Sequence, residues 1–283
     1  MTGTTSRFER DTSVVRIEAG RYEAGIDTGW WIVAGPNGGY VAAIVTRAVE
    51  AQIHADIAEA SEVTDRSVTT LSLHYLRRPD AGATIVEVRP ERIGRTVSTY
   101  AVRMVQGERL VLVGLVTATT PRSAVEFDEV SAPTVPAPDD VPTVDTSDES
   151  FIPMPARYEM KPCLGSVPWD GLGEPPAQDA SIPALAGGWI RLREPTPATP
   201  AVLAALVDAW WPPVIGKFPG DMLAVPTVDL TVHIRRLPDD PLDWVLAEFT
   251  SPLAHGGYLV EDARVFDRHG RLLATGRQLA VFA

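Results

Sequence analysis

A chain of 283 residues, 45% hydrophobic and 22% charged, has enough apolar material for a large core but no run of 18 apolar residues that could span a membrane as a helix. Its net charge of −12 speaks against a nucleic-acid partner, because a phosphate backbone needs clustered Lys and Arg. The single cysteine, Cys163, excludes an intramolecular disulfide, and with no apolar leader in the first residues the expected location is cytoplasmic.

Residues 1 to 13 read as polar and loose. Two short strands are expected at Val14 to Ile17 and Arg21 to Ile26, followed by the segment GWWIVAGPNGGY, whose Pro36-Asn37-Gly38-Gly39 run is turn chemistry placed directly before a helix. From Tyr40 onward, Val41, Ile44, Val45, Ala48, Val49 and Ile53 follow the three-and-four spacing of a buried helical stripe. Strand-like runs come next at Ser67 to Arg77, Thr84 to Pro90, Thr96 to Val105 and Arg109 to Thr119, with Gly107 in a hairpin turn.

Residues 121 to 150 hold five prolines, eight carboxylates and one arginine, so much of the net charge sits in what reads as an extended linker. Beyond it, the Pro-rich stretch from Phe151 to Ala186 resists assignment, although Ala156 to Pro162 and Trp189 to Leu192 resemble paired opening strands. A second helix is expected over Pro200 to Trp211, stopped by Pro212-Pro213. Strands follow at Val225 to Arg236, Trp244 to Ser251, Tyr258 to Asp267 and Arg271 to Phe282.

The second series repeats the first. Leu71-Ser72-Leu73-His74 aligns with Leu230-Thr231-Val232-His233, Arg77 with Arg236 and Pro79-Asp80 with Pro238-Asp239, at a constant offset of 159 residues. The reading is an α+β fold made of two tandem units at 1–120 and 151–283, joined by the 121–150 linker, each a long helix wrapped by an antiparallel sheet. The two sheets are expected to join edge to edge, which removes two exposed edges. The outer face of such a sheet remains open for burial, and a homo-oligomer is expected.

GPNGGY, LHYLRRPD, WIRL, ALVDAWWP, PTVDLTVHIRR and ATGRQLAVF, in this order and spacing, resemble the acyl-CoA thioesterase II family and its thioesterase-like relatives, which are built as double hotdogs. The resemblance covers roughly Val14 to Phe282. It implies an acyl-CoA thioesterase, with no cofactor, in which an Asp, a Thr and a Gln from the second half bind and orient the attacking water. These fall on Asp208, Thr227 and Gln278 of this chain.

The residues themselves weigh on those assignments. Asp208 shares a small-residue face with Ala201, Ala204 and Ala205, and a carboxylate in the last turn of a helix opposes the dipole. Thr227 meets a difficulty, since Val228, Leu230, Val232 and Ile234 alternate as the core face and would turn it away, unless a bulge after Pro226 rotates it inward. Repeat alignment sets Arg47 opposite Asp208, Val68 opposite Thr227 and Val116 opposite Gln278, which implies one active site per chain.

Gly38 and Gly39 are candidates to offer backbone N–H groups to a substrate at the helix start, or form a plain turn. The pair Arg77-Arg78 is a candidate for the phosphates of coenzyme A, as is Arg235-Arg236. His74 and His233 occupy equivalent strand positions and read as structural. No His, Cys, Asp or Glu spacing suggests a metal site, Cys163 lacks a neighbouring histidine, and a G-x-S-x-G elbow is absent. Trp30, Trp31, Trp210 and Trp211 read as core, interface or the wall of an acyl tunnel. The alternatives are a non-catalytic acyl-CoA or lipid-binding protein of the same fold and, on weaker grounds, a double-hotdog enoyl-CoA hydratase.

Overall fold

The computed structural model describes residues 5–33, 35–60, 65–150, 152–165, 167, 181–217 and 224–282. The first element is a helix, α1 (Arg7–Asp11), where the sequence reads as loose. Ser6 and Glu9 form a capping box, each side chain bonding the other's backbone, and Phe8 is buried. The Ser-x-x-Glu spacing was the available signal.

Strands β1 (Val14–Glu18) and β2 (Arg21–Ile26) lead to a small hairpin, β3 (Trp31–Ile32) and β4 (Gly35–Pro36), and then to the long helix α2 (Gly38–Ala60). Four strands complete the first half: β5 (Ser67–Tyr75), β6 (Gly82–Arg92), β7 (Val97–Gln106) and β8 (Arg109–Thr119). The second half opens with β9 (Tyr158–Gly165) and β10 (Leu185–Leu192). It continues through a short helix, α3 (Pro200–Leu206), and closes with β11 (Thr227–Ile234), β12 (Val245–His255), β13 (Tyr258–Phe266) and β14 (Leu272–Val281). Helix α3 is seven residues long rather than the twelve expected.

Twelve strands form one antiparallel sheet in the order β1-β2-β6-β7-β8-β5-β11-β14-β13-β12-β10-β9. The halves mirror each other about the β5–β11 pair. Ser72 faces Thr231, its own repeat partner, so the pseudo-symmetry axis passes through that pair. Helices α2 and α3 lie on the inner side of this double hotdog, and one apolar core runs through both halves, from Tyr22 and Ile44 to Leu203 and Phe249.

The acidic segment has no helix or strand beyond a single turn at Pro138–Asp140, yet its later part is not slack. Trp189 Nε1 donates to the Pro136 carbonyl at 2.9 Å, Val144 N donates to Met160 O at 3.0 Å, and Val141 packs with Trp189, Trp244, Leu246 and Phe266. Ala132 and Val135 pack against the same cluster, so the later part of the segment lies against strands of the second half.

Candidate active site

The short helix α3 and the start of the long helix α2 meet end to end, and sequence explains both halves of that contact. Pro212 and Pro213 forbid continuation of α3, since a proline lacks an N–H and its ring collides with the carbonyl four residues back. The last turn tightens, with Asp208 N donating to Ala205 O at 3.2 Å. Two glycines then let this turn approach its neighbours. A Cβ on Gly39 would lie 2.6 Å from Ala205 O, and one on Gly276 of β14 would lie 3.0 Å from Val207 Cβ. The turn carrying Asp208 is thus clamped between bare backbone on both sides.

Asp208 is only 8% exposed, and its carboxylate accepts from three groups. Oδ2 takes the Gly39 N–H at 2.8 Å and Asn37 Nδ2 at 3.0 Å, while Oδ1 takes Gln278 Nε2 at 2.9 Å. Asn37 also donates to the Asp208 carbonyl at 2.7 Å and accepts Tyr40 N at 2.9 Å, so one residue caps α2 and ties it to the end of α3. On the other side, Thr227 Oγ1 donates to Gln278 Oε1 at 2.8 Å. Gln278 gives its remaining amide hydrogen to Glu261 Oε1 at 2.8 Å. Tyr75 closes the back of the site by donating to Gly38 O at 2.7 Å.

Thr227 reaches the inner face through an irregularity. Thr227 pairs with Ala280 whereas Asp229 pairs with Leu279, so one extra residue in β11 resets the alternation at its start. This is the rotation that strand parity required.

Burial raises the Asp208 carboxyl to about 6, opposed by the N–H groups of Gly39, Gln278, Asn37 and Gly38. Glu261 is raised further, to about 8, by burial first and then by the neighbouring Asp208 charge. A carboxylate near 6 is ionised at neutral pH yet basic enough to take a proton from water, which is the balance that general-base chemistry needs.

Of the candidate residues, Asp208, Thr227 and Gln278 are brought into one array. Gly39 differs from its expected role: its N–H is committed to Asp208 rather than left for a ligand. Gly38 lies against the polar groups, so that a Cβ there would stand 3.0 Å from Asp208 Oδ2 and 3.2 Å from Thr227 Oγ1. Arg78 lies over the Trp31 ring with its stem against Gly35, beside the segment that leads to Asn37, whereas Arg77 turns away to the Leu110 carbonyl. Arg236 is paired with Asp128 of the acidic segment. Trp30, Trp210 and Trp211 are core residues, and burial pushes the Cys163 thiol up, away from a nucleophile's range. Among the described residues, no cluster of His, Cys, Asp or Glu is suited to a metal ion, and no helix is long and apolar enough to cross a membrane.

Two participants escaped the sequence reading. Asn37 carried a signal, as the residue before Gly-Gly at a helix start. Glu261 carried a weaker one: Leu259, Glu261, Ala263 and Val265 share the buried face of β13, so it is a lone carboxylate in an apolar stripe.

Residues 27–119 match the family model of the acyl-CoA thioesterase N-terminal domain, and residues 138–282 match that of the C-terminal domain. Among solved structures, the chain is similar to a hotdog-fold protein of unknown function from Alicyclobacillus acidocaldarius, at 22% identity and a TM-score of 0.82 over 99% of both chains. It is also similar to a thioesterase II candidate from Thermobifida fusca YX, at 26% identity and a TM-score of 0.77 over 99% of this chain and 98% of that one. The acyl-CoA thioesterase II TesB2 from Mycobacterium marinum matches at 21% identity and a TM-score of 0.70, over 98% of each chain. No curated protein matches the sequence.

Proposed function

The chain belongs to the acyl-CoA thioesterase family, and we propose that it hydrolyses an acyl-CoA thioester by means of a water that Asp208 deprotonates and that Thr227 and Gln278 help to hold. The observation that carries this reading is the convergence of three side chains from separate elements. Gln278 is 70 residues from Asp208 and 51 from Thr227, yet it bonds both.

In this mechanism the water sits in the gap beside Gly38, within reach of Asp208 Oδ2. Asp208 accepts its proton as the oxygen attacks the thioester carbonyl, and the positive end of the α2 dipole lies next to the developing oxyanion. Collapse of the tetrahedral intermediate expels coenzyme A as thiolate, and the proton held on Asp208 returns to the products. No covalent enzyme intermediate forms. In this reading Arg78 contacts a phosphate of coenzyme A, and a cytoplasmic homo-oligomer is part of the same reading.

The test is Asp208→Asn, assayed by thiol release on straight-chain acyl-CoAs from acetyl- to palmitoyl-CoA. The kcat should fall by roughly 10²- to 10⁴-fold, the usual cost of losing a general base, with KM little changed because the substrate contacts survive. Near-normal turnover would remove Asp208 from the mechanism and favour a binding protein or another base.

A further inference from the structure

Glu261 is a buried carboxyl, 4% exposed, that the hydrolytic scheme leaves without a task. It lies directly across from Gln278 in the β13–β14 ladder, and it shares a single nitrogen with Asp208. Gln278 Nε2 donates one hydrogen to Asp208 Oδ1 at 2.9 Å and the other to Glu261 Oε1 at 2.8 Å. The second oxygen, Glu261 Oε2, is buried with no partner. The strand on its other side offers no charge: pairing in β12 jumps from Thr250 to Leu253, so Ser251 and Pro252 face Glu261, and the Ser251 hydroxyl is itself buried and unpartnered. Asp262, next in sequence, is engaged by Arg277. Among the described residues, the groups that act on Glu261 are Asp208, Gln278 and Asp262, with no arginine, lysine or histidine.

Resting on the hydrolase reading, we propose that Glu261 is a positioning residue which, in its neutral form, anchors the Gln278 amide so that Nε2 faces Asp208 and Oε1 faces Thr227. An amide has two donors and one acceptor side, and its orientation is decided by what surrounds it. With Glu261 accepting one hydrogen, the other is committed to Asp208, and Oε1 is left for the Thr227 hydroxyl. Two adjacent buried carboxylates with no cation cannot both ionise cheaply, so the pair holds one charge at neutral pH, and that charge stays on Asp208. This agrees with burial and the Asp208 charge raising Glu261 to about 8. Above that pH a second negative charge appears beside the carbonyl where the oxyanion develops, and turnover falls.

The experiment compares Glu261→Gln and Glu261→Ala in the full chain, using kcat, KM and pH profiles from 5 to 10 on the best-turned-over member of the acetyl- to palmitoyl-CoA series. Glutamine mimics the neutral acid: it should keep kcat within about threefold, leave the acid limb where it is, and abolish the alkaline limb near 8. Alanine should lower kcat about tenfold with KM unchanged, the pattern of an interaction realised in the transition state. Side-chain amide NMR provides a readout independent of turnover: the Gln278 NH₂ should exchange slowly in the wild type and in Glu261→Gln but quickly in Glu261→Ala. Equal kcat losses in both variants, an alkaline limb that survives in Glu261→Gln, or a Gln278 amide indifferent to Glu261→Ala would each overturn the proposal. Absence of thiol release from the wild type with the NMR pattern intact would instead sink the hydrolase reading.

Discussion

The two halves of this molecule share a backbone and differ in what they bury. Both carry a register irregularity at the start of their central strand, between Val68 and Thr70 in β5 and between Thr227 and Asp229 in β11. In the first half the positions that the irregularity turns inward are apolar, with Val68 and Val116 fully buried. In the second they are Thr227 and Gln278. The helices diverge in the same way: α2 continues through Arg47 to Ala60, whereas α3 stops at Leu206 and frees Asp208 to meet the N–H groups at the start of α2. A buried polar group left unsatisfied costs about 1–3 kcal/mol, so an array of this kind is tolerable only where nearly every polar atom finds a partner, Glu261 Oε2 being the exception here. The fold supplies partners once, because α3 ends early enough and α2 does not.

If the attacking water sits between Asp208 and Thr227, a methyl group placed there should remove activity while sparing the fold. Gly38→Ala does this with one methyl, placed 3.0 Å from Asp208 Oδ2 and 3.2 Å from Thr227 Oγ1. Gly38 is not in the left-handed region, so its backbone accepts alanine while the Asp208 and Thr227 side chains give by a few tenths of an ångström, and restricting the unfolded chain compensates in part. We expect kcat to drop about 10- to 100-fold through displacement of the attacking water, with Tm unchanged within a few degrees. A fully active Gly38→Ala enzyme would place the water elsewhere.

The pH profile sharpens the same comparison, since the first half has no carboxyl at the equivalent positions. Asp208 must be ionised to act as a base, and burial has raised it to about 6. The kcat/KM, which reports the free enzyme, should rise with pH through one limb centred near 6 and be about a tenth of its plateau at pH 5. An unperturbed carboxylate would put that limb near 4. A limb at 4, or none, would mean that Asp208 is not the titrating base.

Much of this was legible in the sequence, and the gaps have physical causes. The repeat at constant offset announced the mirrored sheet, and the family-like run around Asp208, Thr227 and Gln278 named three of the five polar side chains of the array. Parity alone turned Thr227 the wrong way, because a bulge has no local signature beyond the preceding proline. Helix α3 ends five residues before the expected Trp211, since Ala209, Trp210 and Trp211 continue the apolar pattern while the prolines act four residues upstream of themselves. The commitment of Gly39 to Asp208 depends on the approach of two helix ends 169 residues apart, which no local pattern records. Glu261 carried only the weak signal of an apolar stripe, Leu259, Ala263 and Val265, which Asp262 beside it blurs.

The smallest expected effect comes from exchanging side chains between the halves. Thr227→Val copies the first half into the second: it keeps the shape but removes the donor to Gln278 Oε1, and kcat should fall by about tenfold. Val68→Thr is the reciprocal change. Val68 is 1% exposed and packed in the common core, and its neighbour across β8 is Ala118, with Val116 standing where Gln278 stands in the other half. A hydroxyl there gains no side-chain partner, so denaturant unfolding should show a loss of about 1–3 kcal/mol, with kcat unchanged because Val68 is not one of the residues of the polar array. An unchanged stability would mean that the first-half irregularity can also satisfy a buried hydroxyl. The difference between the halves would then lie in the side chains alone and not in what each backbone can accommodate.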